Sequence, residues 1–429
     1  MVRDSPLLWN ANSYSEIRAD EENGEPLNDA QYKRNREVEA LLNIKLETVP
    51  YGSKGDGTST FRKYVMAGDN AFDAGFVFGS TVQNTLSEPE LIVDLSTIDT
   101  LDLSASWWDQ NAVESFTFNG GIKTVVGDLN LFSTFAPILY FYNKQIAEDF
   151  GINDLYSLVR EGKWTYDRAF DYCRKVASDL NGDTKMDEND RFGMALQSGL
   201  VADMLNSGNV MFANKLGSSL ELSLNSERTS RLVELCVPFL NDFYVNCSHN
   251  AFASQYSNVF RDMHIPLFAN NQIFINFNQL LIVFELRAME TDFGTLPTPK
   301  YDEAQEKYQT AMSYYWTSFL CVPATNDRLD MTGHVLDALG YYSQKYVTPA
   351  FVDTIVVNKA LRDEASEEMV EIVLDNRVYD VGKLYNWGDI VGMVNNLGVS
   401  NSTDFASKWA SVEARAKEAM EKSIEMMNQ

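Results

Sequence analysis

The chain is poor in positive charge: 35 Lys and Arg stand against 61 Asp and Glu, a formal net charge of −26. That balance argues against nucleic acid or an anionic membrane surface as the partner, because both need a basic face. Histidine is scarce too. His249, His264 and His334 are scattered with no HExxH pair, and no Gly-x-Ser-x-Gly elbow or Walker-type phosphate loop occurs. The glycine-rich Gly52-Ser53-Lys54-Gly55-Asp56-Gly57 lacks the required order and reads as a flexible turn. The four cysteines, Cys173, Cys236, Cys247 and Cys321, show no metal spacing. They read as small buried thiols, with Cys236 and Cys247 the one pair that could bond. Long apolar runs are missing as well, nothing approaching the ~20 residues that span a bilayer. The opening Met1-Val2-Arg3-Asp4-Ser5 lacks the apolar stretch of an export signal, as a mature form with its signal removed would.

What is present suffices for real cores. Hydrophobic residues make up 45% and aromatics 12% of 429 residues, a length suited to two or three domains. Over the first two-thirds, strand and helix signals alternate. Asn28 can cap a helix running to Leu42, residues 44–49 alternate like a strand, and 71–78 is apolar enough for a central parallel strand. This order predicts a doubly wound α/β sheet, whose ligands sit beyond the carboxyl ends of the strands. A second α/β unit begins near Pro137, with strands expected at 138–142, 191–196 and 272–277 and Ser226 capping a long helix. From Asp330 onward the pattern is largely helical.

The most specific local motif runs from Asp179 to Asp190. Counting Asp179 as position one, oxygen-bearing side chains fall at Asp179, Asn181, Asp183, Asp187 and Asp190, and the Lys185 carbonyl can serve at seven. A hard cation takes six to eight oxygens, and this spacing wraps them around one point, so structural calcium is expected here. Position six, normally Gly to allow a left-handed turn, is Thr184, and position twelve is Asp rather than Glu.

Several segments in order, over nearly the whole chain, carry a resemblance. They include Phe72-Asp73-Ala74-Gly75-Phe76-Val77, Ser106-Trp107-Trp108-Asp109, Tyr142-Asn143-Lys144 and Gly162-Lys163-Trp164-Thr165. Further along come Asp179-Leu180-Asn181-Gly182-Asp183, Asp292-Phe293-Gly294-Thr295-Leu296-Pro297 and Tyr385-Asn386-Trp387-Gly388. Together they resemble the extracellular solute-binding proteins, family 1, which serve ABC importers of carbohydrates and are related to maltose-binding protein. The resemblance implies a type II periplasmic-binding-protein fold, two doubly wound lobes joined by a hinge with the ligand cleft between them. It implies residues 1–135 plus 298–325 in the N-terminal lobe and 136–297 plus 326–429 in the C-terminal lobe. It further implies a non-enzymatic, monomeric, extracellular lipoprotein of a Gram-positive bacterium that hands its ligand to ABC permease subunits. The alternative is an extracellular glycosidase with a structural calcium loop.

A sugar presents an apolar ring face and a rim of hydroxyls, so its site needs aromatic platforms and polar side chains. By the family's pattern Trp387 is a platform, and Phe277 and Asn278 are contacts. Tyr315 and Trp316 lie near the hinge. Ser80 and Gln197 each come directly after a strand, as do Asn12 and Tyr14 after the first one.

Overall fold

A computed structural model describes residues 2–3, 15–51, 56–79, 81–217, 219–286, 289–357 and 364–427. The C-terminal lobe is built on a mixed five-stranded sheet. Its order is Phe293–Pro297, Ile138–Asn143, Ile273–Gln279, Phe192–Leu196 and Asn246–Ser248. The last three run parallel to one another, and Ile138–Asn143 runs antiparallel to both of its neighbours. Ile138–Asn143 is buried at every position because helices cover both faces. Ile138, Tyr140 and Tyr142 enter one core and Leu139 and Phe141 the other, the two-residue period of a strand.

The N-terminal lobe centres on Gly75–Phe78, whose described strand partner is the antiparallel Ser318–Cys321. The expectation of a parallel neighbour at 44–49 is not met: those residues form no ladder. The cap expected at Asn28 falls to Glu25 instead, whose carboxylate accepts the Asn28 N–H, so Asn28 lies inside the helix Pro26–Leu42. Ser226 caps Glu227–Leu240 as expected, its Oγ accepting the Thr229 N–H. All four cysteines are buried and free, so the Cys236–Cys247 bond is absent.

The lobe boundaries differ from those the resemblance implies. Residues 298–309 stay with the C-terminal lobe. There Lys300 Nζ donates to the Gln305 carbonyl, Gln305 Nε2 donates to the Ser207 carbonyl, and Tyr308 joins that lobe's core. The chain returns only between Ala311, packed in that core, and Met312, packed in the other. The helix Leu329–Tyr342 belongs to the N-terminal lobe, where it buries Leu336 and Leu339. Its Asp337 accepts the indole N–H of both Trp107 and Trp108 at 3.1 Å and the Asp102 N–H at 2.8 Å.

The chain passes between lobes near Phe135 and again near Ala311, returns between Leu339 and Met369, and crosses twice more, near Arg377 and between Leu384 and Ile390. At the passage near Arg377 the helix Glu364–Asp375, packed on the C-terminal lobe through Met369, gives way to Arg377–Val378, which pairs in parallel with Thr310–Ala311. The N-terminal lobe grips this passage through Asp109, the cap of Gln110–Phe116. Asp109 Oδ2 lies 2.9 Å from Arg377 Nη2 and accepts the Tyr379 hydroxyl at 2.9 Å.

Candidate functional site

Parallel strands end on the same edge of a sheet, so the carboxyl ends of Phe192–Leu196 and Ile273–Gln279 bring their residues to one place. Gln197 comes immediately after the first; Phe277, Asn278 and Gln279 close the second. Against this edge the hinge segment after Ala311 makes a tight turn. Trp316 and Thr317 N–H groups both donate to the Ser313 carbonyl at 2.9 Å, and Ser313 N–H donates to Ala136 O at 3.1 Å. That turn holds Tyr315 outward, half exposed, with its ring edge-on to Trp316 at 5.3 Å.

These pieces enclose a cavity of about 370 Å³. Gln197, Phe277, Asn278, Tyr315 and Trp316 all line it, so the structure unites five of the nine expected ligand contacts. Phe277 packs on Tyr140 at 4.8 Å, and Asn278 Oδ1 accepts the Gln279 N–H at 3.0 Å, contacts that hold both side chains in place. Asn12, Tyr14 and Ser80 lie outside the described residues.

Trp387 is placed elsewhere, which corrects its assignment as a platform. Asn386, Gly388 and Asp389 all take left-handed φ, of 45°, 60° and 60°, and this winding turns the indole inward. It is 4% exposed, donates its N–H to Ser423 Oγ at 2.8 Å and stacks on Tyr385 at 5.1 Å. Around it lie Phe118, Leu220 and Met420.

The site also contains residues that sequence reasoning missed: Leu200, Phe260, Gln279 and Ser313. Phe260 opens a π-helical turn, Phe260–His264, in which the Ile265 N–H donates to the Phe260 carbonyl. The signal for it is Pro266, which cannot donate to the carbonyl four residues back and crowds it, so the helix widens just before the proline. None of the described lining residues is charged.

In the acidic loop, Asp179 accepts the Gly182 and Thr184 N–H groups at 2.6 and 2.8 Å, and Asp183 accepts the Lys185 N–H at 2.8 Å. Asp190 accepts those of Leu180 and Asp187 at 2.8 and 2.9 Å. The N–H donors hold the Asp179 carboxyl below its ordinary range, Thr184 first among them. Thr184 takes a φ of 68°, the left-handed turn that position six demands. Among the described residues no group of three or more His, Cys, Asp or Glu is gathered as a metal site.

No family model matches the sequence, and no curated protein matches it. Solved structures do match its fold. The galacto-N-biose/lacto-N-biose I-binding protein of an ABC transporter from Bifidobacterium longum, in complex with lacto-N-biose, superposes with a TM-score of 0.63 at 12% identity, over 95% of this chain and 96% of that one. An ABC substrate-binding protein from Listeria monocytogenes, in complex with cycloalternan, gives 0.59 at 14% identity over 94% and 97%. UgpB from Mycobacterium tuberculosis, in complex with glycerophosphocholine, gives 0.61 at 13% over 93% and 97%. The chain therefore has the type II periplasmic-binding-protein fold, and its cavity lies at the ends of parallel strands of one lobe beside a crossing to the other. No described helix is long and apolar enough to cross a membrane.

Proposed function

We propose that this protein captures a neutral saccharide between its lobes and presents it to an ABC permease. The observation that carries this reading is the lining of the cavity: the rings of Phe260, Tyr315 and Trp316 beside the carboxamides of Gln197, Asn278 and Gln279. Rings stack on the apolar faces of a pyranose, and a carboxamide both donates to and accepts from hydroxyls. A phosphodiester such as the one in the UgpB complex would call for a cation, and the described lining supplies none. A glycosidase would call for two carboxylates, and the described lining has neither. Ligand that touches both the strand ends and the hinge turn favours the closed arrangement through contacts only that arrangement makes. The protein works outside the membrane as a monomer held by a lipid anchor.

The test is a thermal-shift screen over glucose, maltose, maltotetraose, lacto-N-biose and glycerophosphocholine. A neutral sugar at about 100 times its Kd adds roughly 2.7 kcal/mol to stability. Stabilisation by glycerophosphocholine alone would refute the reading.

A structural calcium ion in the 179–190 loop is part of the same proposal. The left-handed Thr184 supports it, and so does the spare acceptor capacity of carboxylates that already hold N–H groups. Adding EGTA should lower the melting temperature, and excess calcium should restore it; an unchanged melting temperature counts against the ion.

A further inference from the structure

Two of the chain's three histidines press on one ring of the cavity. The His249 imidazole stacks on Phe260 with centroids 4.8 Å apart and planes 26° from parallel, and His264 meets the same ring edge-on at 5.2 Å and 89°. His249 comes directly after the strand Asn246–Ser248, whose parallel neighbour Phe192–Leu196 leads into Gln197. Next to His249, Asn250 accepts the Ser198 N–H at 2.8 Å, so the same loop steadies the chain just after Gln197. His264 is 1% exposed, and burial pushes its pKa down to about 3, which leaves a neutral ring there at ordinary pH.

The π turn that carries Phe260 is a rare irregularity of a kind that often marks functional positions. The two imidazoles brace its ring, one against a face and one against an edge, an arrangement aromatic pairs favour. We propose that His249 is a positioning residue for ligand recognition, holding Phe260 as the C-terminal lobe's stacking surface for a sugar ring. The proposal rests on the saccharide-binding reading above. It makes recognition depend on a side chain that is not itself among the described residues lining the cavity.

The experiment is calorimetric titration of wild type, Phe260→Ala, His249→Ala and His249→Phe with the tightest neutral sugar of the panel. Thermal unfolding of each is recorded beside it. Phe260→Ala should bind roughly 10-fold more weakly and His249→Ala roughly 5-fold more weakly, as loss of a ring contact implies. His249→Phe, which keeps a flat ring, should recover binding to within about twofold of wild type. If His249→Ala lowers the melting temperature but leaves the affinity unchanged, the histidine only supports the fold and the proposal is overturned. If the phenylalanine variant binds no better than the alanine one, a flat ring is not what matters and the proposal is again overturned. Wild type that binds no sugar of the panel defeats the saccharide reading itself, a result distinct from wild type binding and the variants matching it.

Discussion

Asp109→Ala should lower the unfolding free energy by about 3 kcal/mol or more. The carboxylate does two jobs. It caps Gln110–Phe116 by accepting the Asn111 N–H at 3.1 Å, and it faces Arg377 at 2.9 Å in a place where its own side chain is 6% exposed. Losing the cap alone costs about 1 kcal/mol. Losing the counter-charge leaves a guanidinium, three-quarters buried, without its carboxylate partner, which is the expensive part. The Tyr379 hydroxyl loses its acceptor in the same step. A urea titration measures the loss, and the double variant Asp109→Ala/Arg377→Met should regain part of it because the guanidinium that lost its ion-pair partner is gone. A loss below about 1 kcal/mol, the value of an exposed pair, would show that Arg377 reaches water unaided.

Trp316→Ala is expected to act on affinity instead. Burying the face of a large aromatic against a sugar is worth about 2–3 kcal/mol, so the Kd for the tightest neutral sugar should rise roughly 30- to 150-fold. Tyr315 meets the same indole edge-on at 5.3 Å, so removing both rings should cost less than the sum of the single losses. Calorimetric titration decides it; an unchanged Kd with the fold intact would place the ligand away from the hinge turn.

Much of the site was legible because strand ends obey a simple rule. Gln197 succeeds one parallel strand, and Phe277 and Asn278, marked by the family resemblance, close another, and residues so placed gather at one edge. Phe260 was not legible, since its position depends on a π turn that only the unobtrusive Pro266 announces. The same device recurs at Ser343–Val347, where the next residues are Thr348 and Pro349. Trp387 misled because an aromatic within Tyr385-Asn386-Trp387-Gly388 shows its type but not its direction, which three left-handed residues decide. The lobe boundary misled for a different reason. Residues 298–309 have little regular structure of their own, and their place is set by long-range hydrogen bonds such as Gln305 to the Ser207 carbonyl.

The helix Leu329–Tyr342 has a consequence for how the protein is made. Its Leu336 and Leu339 complete a core begun by Val38, Phe61 and Val77, yet they leave the ribosome long after those residues. Until they arrive, the first lobe must wait with apolar surface uncovered while the whole sheet of the other lobe is synthesised. Domains inserted into one another in this way cannot fold strictly in the order of translation, and the waiting half is the one a chaperone would be expected to shield.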